Sequence, residues 1–208
     1  HAVDAVVVAG DIFDTGTPPS YARELYNSFV SDMHDSGARL VVLGGNHDSV
    51  ATLGESRTVF SKLGAHVVPG VTAVLEDQVI VLPGRNGEPA ALLCAIPFVR
   101  AREVVVSEGG QSAEDKQQAL QAAIRQHYHA VYELAVARRD ALGLPLPIIA
   151  TGHLTTVGAS LSESVREIYV GTLAAFPTAE FPPADYIALG HIHRPQKVGG
   201  LEHIRYCG

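Results

Sequence analysis

The 208 residues predict a layered α/β fold with a largely parallel or mixed sheet, on three observations. Short, wholly apolar runs such as VVVA (6–9) and LVVL (40–43) read as strands buried on both faces. Segments with apolar residues three and four apart lie between them. Glycine stands at the carboxyl end of one apolar run after another, where a strand must turn sharply.

Taken in order, residues 3–9 read as the first strand and 20–36 as a helix. Pro18 and Pro19 precede that helix, Ser20 can cap it, and Leu25, Tyr26, Phe29, Val30 and Met33 form one apolar face. Gly37 sits where a left-handed stop is expected. A second buried strand spans 38–45 and a helix follows at about 50–62. From 66 to 96 the pattern turns to short β pieces, HVVPG, TAVLE, QVIVLP and AALLCAIP, punctuated by Gly70, Gly84 and Gly87. A long helix is expected over 112–140, capped by Ser112, with Leu120, Ile124, Tyr128, Val131 and Leu134 on one face. LPLPIIATGH (144–153), REIYVG (166–171), ADYIALGHIH (184–193) and EHIRYC (202–207) supply the remaining strands. No repeat, low-complexity segment or dividing linker is visible, so residues 1–208 read as one domain, loosest at 100–112.

Composition narrows the class. Hydrophobic residues make up 47%, enough for a sizeable core, and no apolar run approaches the roughly 20 residues that cross a bilayer. Cys94 and Cys207 lack C-x-x-C spacing and suggest no disulfide framework, so a reducing compartment is expected. Fifteen basic against 22 acidic residues give a net charge of −7, which argues against a simple basic nucleic-acid binder. An acidic balance is also what a carboxylate-rich metal site leaves before its cations are counted.

The chemistry gathers at strand ends. VVVAGDIFD ends on Asp11 and Asp14, LVVLGGNHD on Asn46, His47 and Asp48, PIIATGH on His153, and YIALGHIH on His191 and His193. In open α/β sheets, ligands bind beyond the carboxyl ends of the strands. Each motif has a bland reading: G-D as a helix cap or Asx turn, G-N-H-D as a tight turn, His153 as a hydrogen-bonded histidine, G-H-x-H as one imidazole in and one out. Four such ends in one chain point instead to a converging metal site. Oxygen and imidazole donors without thiolate suit Mn²⁺, Fe or Zn²⁺, and Asp11 is a natural bridge between two cations. Two metals side by side can grip a phosphoryl oxygen, generate hydroxide and stabilise in-line displacement. His1, His34, His66, His127, His129 and His203 belong to no motif and read as surface or structural residues.

In this order, G-D-x-x-D, G-N-H-D, G-H and G-H-x-H resemble the calcineurin-like metallophosphoesterases. Within that family the resemblance is strongest to bacterial nuclease subunits. It extends between the motifs, through VVAGDIFDTGTPPSYARELYN, LVVLGGNHDSVATL, IPFVR, LPIIATGHLTTVGAS and FPPADYIALGHIH, and runs from Val3 to Gly208. It implies a layered α/β/β/α sandwich with mixed sheets, here truncated at both ends. It also implies two divalent metal ions, with Mn²⁺ expected. Asp11 would bridge them, Asn46, His153 and His191 would complete the second position, and His193 would serve the first. His47 would act over the scissile phosphate as general acid or charge stabiliser, with Asp14 holding its tautomer. Asp48 would orient the loop, and Arg100 and Arg102 are candidate DNA contacts.

The function implied is DNA phosphodiester hydrolysis under the control of an SMC-like ATPase partner. The resemblance further implies a homodimer within a heterotetrameric complex, no membrane association, and a cytoplasmic, nucleoid-associated bacterial location. The family's opening D-x-H motif does not precede Asp11, so this chain by itself is expected to be weak or inactive. A small-substrate phosphatase or cyclic-nucleotide phosphodiesterase uses the same ligands. A non-catalytic scaffold is a third reading, against which His47 speaks.

Overall fold

A computed structural model describes residues 3–105, 110–159 and 175–208. REIYVG, expected as a strand, lies outside the described residues. The elements in chain order are β1 (Ala5–Ala9), α1 (Ser20–Asp35), β2 (Arg39–Leu43), α2 (Val50–Gly54), α3 (Arg57–Lys62), β3 (Ala65–Val68), β4 (Val79–Pro83) and β5 (Pro89–Cys94). They continue with α4 (Ala101–Val104), α5 (Ala113–Leu142), β6 (Ile148–His153), β7 (Tyr186–Gly190), β8 (Gln196–Val198) and β9 (Leu201–Tyr206).

The strands form two sheets. One is parallel, in the order β1-β2-β3; the other is mixed, in the order β4-β5-β6-β7-β9-β8. Within the second, β5, β6, β7 and β9 run parallel, and the antiparallel strands β4 and β8 form its edges.

Alternation along each strand sets the layers, because successive side chains face opposite ways. On β2, Leu40 and Val42 pack with Tyr26 and Val30 of α1, Leu53 of α2 and Phe60 of α3. Val41 and Leu43, one residue out of phase, meet Ile80, Leu82, Leu93 and Ala95 from the other sheet. On β5 the phase repeats: Leu93 faces the first sheet, while Leu92 and Cys94 pack with Leu120, Ile124, Tyr128, Val131 and Ala135 of α5. The result is helices, sheet, sheet, helix: the α/β/β/α order that the resemblance implied.

α5 carries its expected Ser112 cap and runs slightly past the expected end, to a glycine that the sequence reading did not single out. The Ser112 hydroxyl accepts from the Asp115 N–H at 3.1 Å, the Asp115 carboxylate accepts from the Ser112 N–H at 3.1 Å, and Gly143 closes the helix in the left-handed region.

Four local expectations need correction. TAVLE (72–76) is not a strand; its last residues enter a short 3₁₀ turn, Leu75–Gln78. The helix expected over 50–62 is two helices, separated at Glu55–Ser56. The short strand β8 carries no apolar run and was not anticipated. On α1, Tyr26 and Val30 are buried, whereas Leu25 is 72% exposed and Phe29 37% exposed. Helical spacing marks an apolar stripe without telling which edge of it meets the sheet.

Both sheets deliver their carboxyl ends to one place. Packing β1 so close to β6 and β7 requires glycine at two positions. A Cβ on Gly10, whose φ is +97°, would collide with the His153 ring, and one on Gly190 with the Ala9 carbonyl oxygen.

Candidate metal centre

The loop after β1 presents Asp11, the loop after β2 presents Asn46 and His47, β6 ends on His153, and His191 follows β7. Ligand atoms of Asp11, His153 and His191 all lie within 4.8 Å of one another. His153 is almost completely buried, and its Nδ1 lies 2.7 Å from the Ala9 carbonyl oxygen. A carbonyl can only accept, so Nδ1–H donates to it, and Nε2 is the nitrogen turned into the site, the one that would ligate a cation. There Nε2 meets Asn46 Oδ1 at 2.8 Å and Asp11 Oδ2 at 3.2 Å. His191 Nδ1 stands 3.1 Å from the same Asn46 oxygen.

These atoms are predominantly lone-pair donors facing one another, an arrangement that a cation satisfies. Metal–ligand bonds of about 2.1 Å at right angles set neighbouring ligands roughly 3 Å apart, so the observed spacings fit a divalent ion. Electrostatics agree. Burial pushes the Asp11 carboxyl up, but the hydrogen bond and charge of His153, with help from the His47 N–H, outweigh it and leave Asp11 below its ordinary value. Burial, then the neighbouring His153, pushes His191 down to about 4, which keeps it neutral and able to ligate at neutral pH.

The backbone is bent to achieve this. Among the described residues only Asp11 (φ +53°) and His191 (φ +93°) are non-glycine residues with positive φ. Such conformations cost on the order of 1–3 kcal/mol each and persist where surrounding structure over-determines them.

Two loops are tied together beneath the ligands. The buried Asp48 carboxylate accepts from the N–H groups of Ile12 (3.1 Å), Phe13 (3.0 Å) and Gly45 (2.7 Å). Asp11 Oδ1 accepts from the His47 N–H at 3.1 Å. His47 Nδ1 lies 3.0 Å from the main-chain oxygen of Asp14, so Nδ1–H donates and Nε2 remains available.

The last contact corrects an expectation. The partner of His47 is the carbonyl of Asp14, not its carboxylate; the side chain is exposed and makes no hydrogen bond among the described residues. Arg100 is corrected too. It turns inward, its Nη2 donating to the carbonyls of Gly45 (2.9 Å) and Asp48 (2.7 Å). Arg102 is exposed on α4, and His193 is exposed outside the ligand group.

Sequence reasoning missed the supporting contacts. Thr151 on β6 donates its hydroxyl toward the carbonyls of Cys94 and Ile96 and accepts from the Ile96 N–H at 2.7 Å, anchoring the segment after β5. The Phe98 N–H from that segment donates to Gly44 at 2.8 Å, and the Phe98 ring meets His153 edge-on at 6.2 Å. The only sequence signal for this was IPFVR itself.

The family model for calcineurin-like phosphoesterases matches residues 1–195. The chain belongs to the calcineurin-like phosphoesterase family. Among curated members it is similar to the SbcD subunit of the SbcCD nuclease of Escherichia coli (strain K12), 57% identical over 208 residues, 100% of this chain and 50% of that protein. The proteins of the same name from Rhodobacter capsulatus and Bacillus subtilis are 36% and 33% identical over 216 residues. Each alignment covers 99% of this chain, and 52% and 51% of the respective relative. The chain thus spans about half the length of the curated relatives it matches. Membership of this metallophosphoesterase family implies divalent metal ions, and Asp11, His153 and His191 form a group able to hold one. No helix among the described residues is long and apolar enough to cross a membrane.

Proposed function

We propose that this chain is the nuclease half of an SbcD-type protein, hydrolysing DNA phosphodiester bonds with Mn²⁺ as its metal. The observation that carries the proposal is 57% identity across the whole chain to a component of a nuclease, including the intervals between motifs, around a compact ligand cluster.

Asp11, Asn46, His153 and His191 would hold one cation in this reading, and Asp11 with His193 would serve a second. The ions supply Lewis acidity toward the phosphoryl oxygens and an activated water. The protein's own contribution is positional. Asp48 fixes the two ligand loops, the Ala9 carbonyl fixes the tautomer of His153, and the Asp14 carbonyl fixes that of His47. His47 Nε2 is left free to give a proton to the leaving oxygen or to stabilise charge there. Arg102, exposed on α4, is the remaining candidate for DNA phosphate contact.

The net charge of −7 leaves much of the phosphate attraction to bound cations and to an SbcC-type ATPase partner. A homodimer is supported by the exposed stripe on α1, where Tyr21 (74% exposed), Leu25 and Phe29 recur every fourth residue, with Val59 exposed on α3. A monomeric mass for the complete protein by sedimentation removes that part of the reading. A protein acting on chromosomal DNA would belong in the bacterial cytoplasm with the nucleoid, and the free thiols of Cys94 and Cys207 support that reading.

The test uses the complete protein with its ATPase partner. Linear duplex DNA is cleaved on addition of Mn²⁺ and protected by chelator, while nitrophenyl phosphates turn over slowly or not at all. Rapid turnover of the small esters without DNA cleavage indicates a small-substrate phosphatase instead. Metal binding without either activity indicates a scaffold.

A further inference from the structure

We propose that Arg100 is a positioning residue for the metal centre: its Nη2, bound to the carbonyls of Gly45 and Asp48, sets the Asn46–His47 loop in register with His153. The proposal deepens the nuclease reading and rests on it.

The two carbonyls lie on either side of Asn46 and His47, so a single nitrogen fixes both ends of the tetrapeptide that delivers a ligand and the acid. The distances, 2.9 Å to Gly45 and 2.7 Å to Asp48, are those of charge-assisted hydrogen bonds. The Arg100 side chain is only 13% exposed, and its Nη1 is buried without a hydrogen bond among the described residues. A buried guanidinium left partly unsatisfied is costly, and here that cost accompanies a fixed loop.

Arg100 is itself held in place. Its guanidinium carbon stands 5.4 Å from the centre of the Phe98 ring, the ring that meets His153 edge-on. Glu103 lies 3.9 Å from Nη1, accepts from the Arg100 N–H at 3.2 Å, and reaches the Val71 N–H at 3.5 Å. Phe98 donates to Gly44, one residue before the loop that Arg100 grips. The segment from Phe98 to Arg100 therefore touches the Asn46 side of the centre and the His153 side together. Asn46 Oδ1 and His153 Nε2 are 2.8 Å apart, and a shift of a few tenths of an ångström at the loop changes the ligand set.

The test compares Arg100→Met, which keeps the apolar stem against Phe98 but removes every donor, with Arg100→Lys, which keeps a multi-donor cation. Both are made in the complete protein. Mn²⁺ affinity is measured by calorimetry, and DNA cleavage is split into kcat and KM. Supporting groups behind metal ligands are worth about 10–100-fold in metal affinity or activity, and Arg100→Met is expected to lose that much affinity and kcat with KM unchanged. Arg100→Lys recovers part of both. Wild-type affinity and kcat in Arg100→Met overturn the proposal, and so does a lysine variant as impaired as the methionine one. If Arg100→Met does not fold, Arg100→Lys decides alone, because unchanged affinity and kcat there also contradict it. If the wild-type protein neither binds Mn²⁺ nor cleaves DNA, the nuclease reading has failed and not the role of Arg100.

Discussion

Asn46 is where the two sheets meet chemically. Its Oδ1 is within hydrogen-bonding distance of His153 from β6 and His191 after β7, although Asn46 itself follows β2. Residue types at glycine-marked strand ends made Asp11, Asn46, His153 and His191 legible in the sequence, because metal chemistry needs side chains of those types. The support of His47 was not legible in the same way. Any residue at position 14 offers a main-chain oxygen, so the carboxylate there misled. It follows that Asp14→Ala in the complete protein retains most of its cleavage, within a few-fold. His47→Ala loses about 10²–10⁴-fold, the usual contribution of a positioned proton donor, with Mn²⁺ affinity unchanged. Parallel rate measurements on the two variants check this; equal losses would restore the carboxylate to its expected role.

A second residue-scale prediction concerns pH. His127 is buried on α5 beside Gln78, and burial holds its imidazole below the ordinary 6.5. His191 is shifted the same way, to about 4. A folded state that resists protonation is fully stabilised above pH 6.5 and loses that stability as pH falls through the window toward 4. The melting temperature of the metal-free protein therefore drops between about pH 7 and 5. His127→Gln flattens part of that slope, and a melting temperature that is level or rising on acidification contradicts the assignment.

Among the elements, the loops after β1 and β2 depend on one side chain. Asp48→Ala leaves the N–H groups of Ile12, Phe13 and Gly45 without their acceptor. At about 1–3 kcal/mol for each buried group left unpaired, the variant is expected to lose roughly 3 kcal/mol or more in denaturant unfolding. An unchanged unfolding midpoint would show that water replaces the carboxylate without loss. The elements themselves were largely readable: apolar runs gave the buried strands, and Ser112 marked the start of α5. Less was readable where composition and environment part. TAVLE has the β-branched and apolar content of a strand but lies in a loop leading into a 3₁₀ turn. Leu25 and Phe29 share the apolar stripe of α1, yet it is Tyr26, Val30 and Met33 of that stripe that pack on the sheet side.

At the scale of the whole molecule, the fold is a device for bringing carboxyl strand ends from two sheets to one point. The inter-sheet core of Val41, Leu43, Leu93 and Ala95 holds those ends in register. Gly10 and Gly190 permit the close contact of β1 with β6 and β7. None of this pairing could be read from single segments, since register between sheets is a property of packing. In the proposed reading, function depends on Asp11, Asn46, His153 and His191 sharing a divalent cation. The decisive measurement is anomalous diffraction at the manganese edge, from crystals of the complete protein grown with Mn²⁺. A peak is expected about 2.0–2.3 Å from ligand atoms of all four residues. Full occupancy elsewhere, with these four side chains still bonded only to one another, would contradict it.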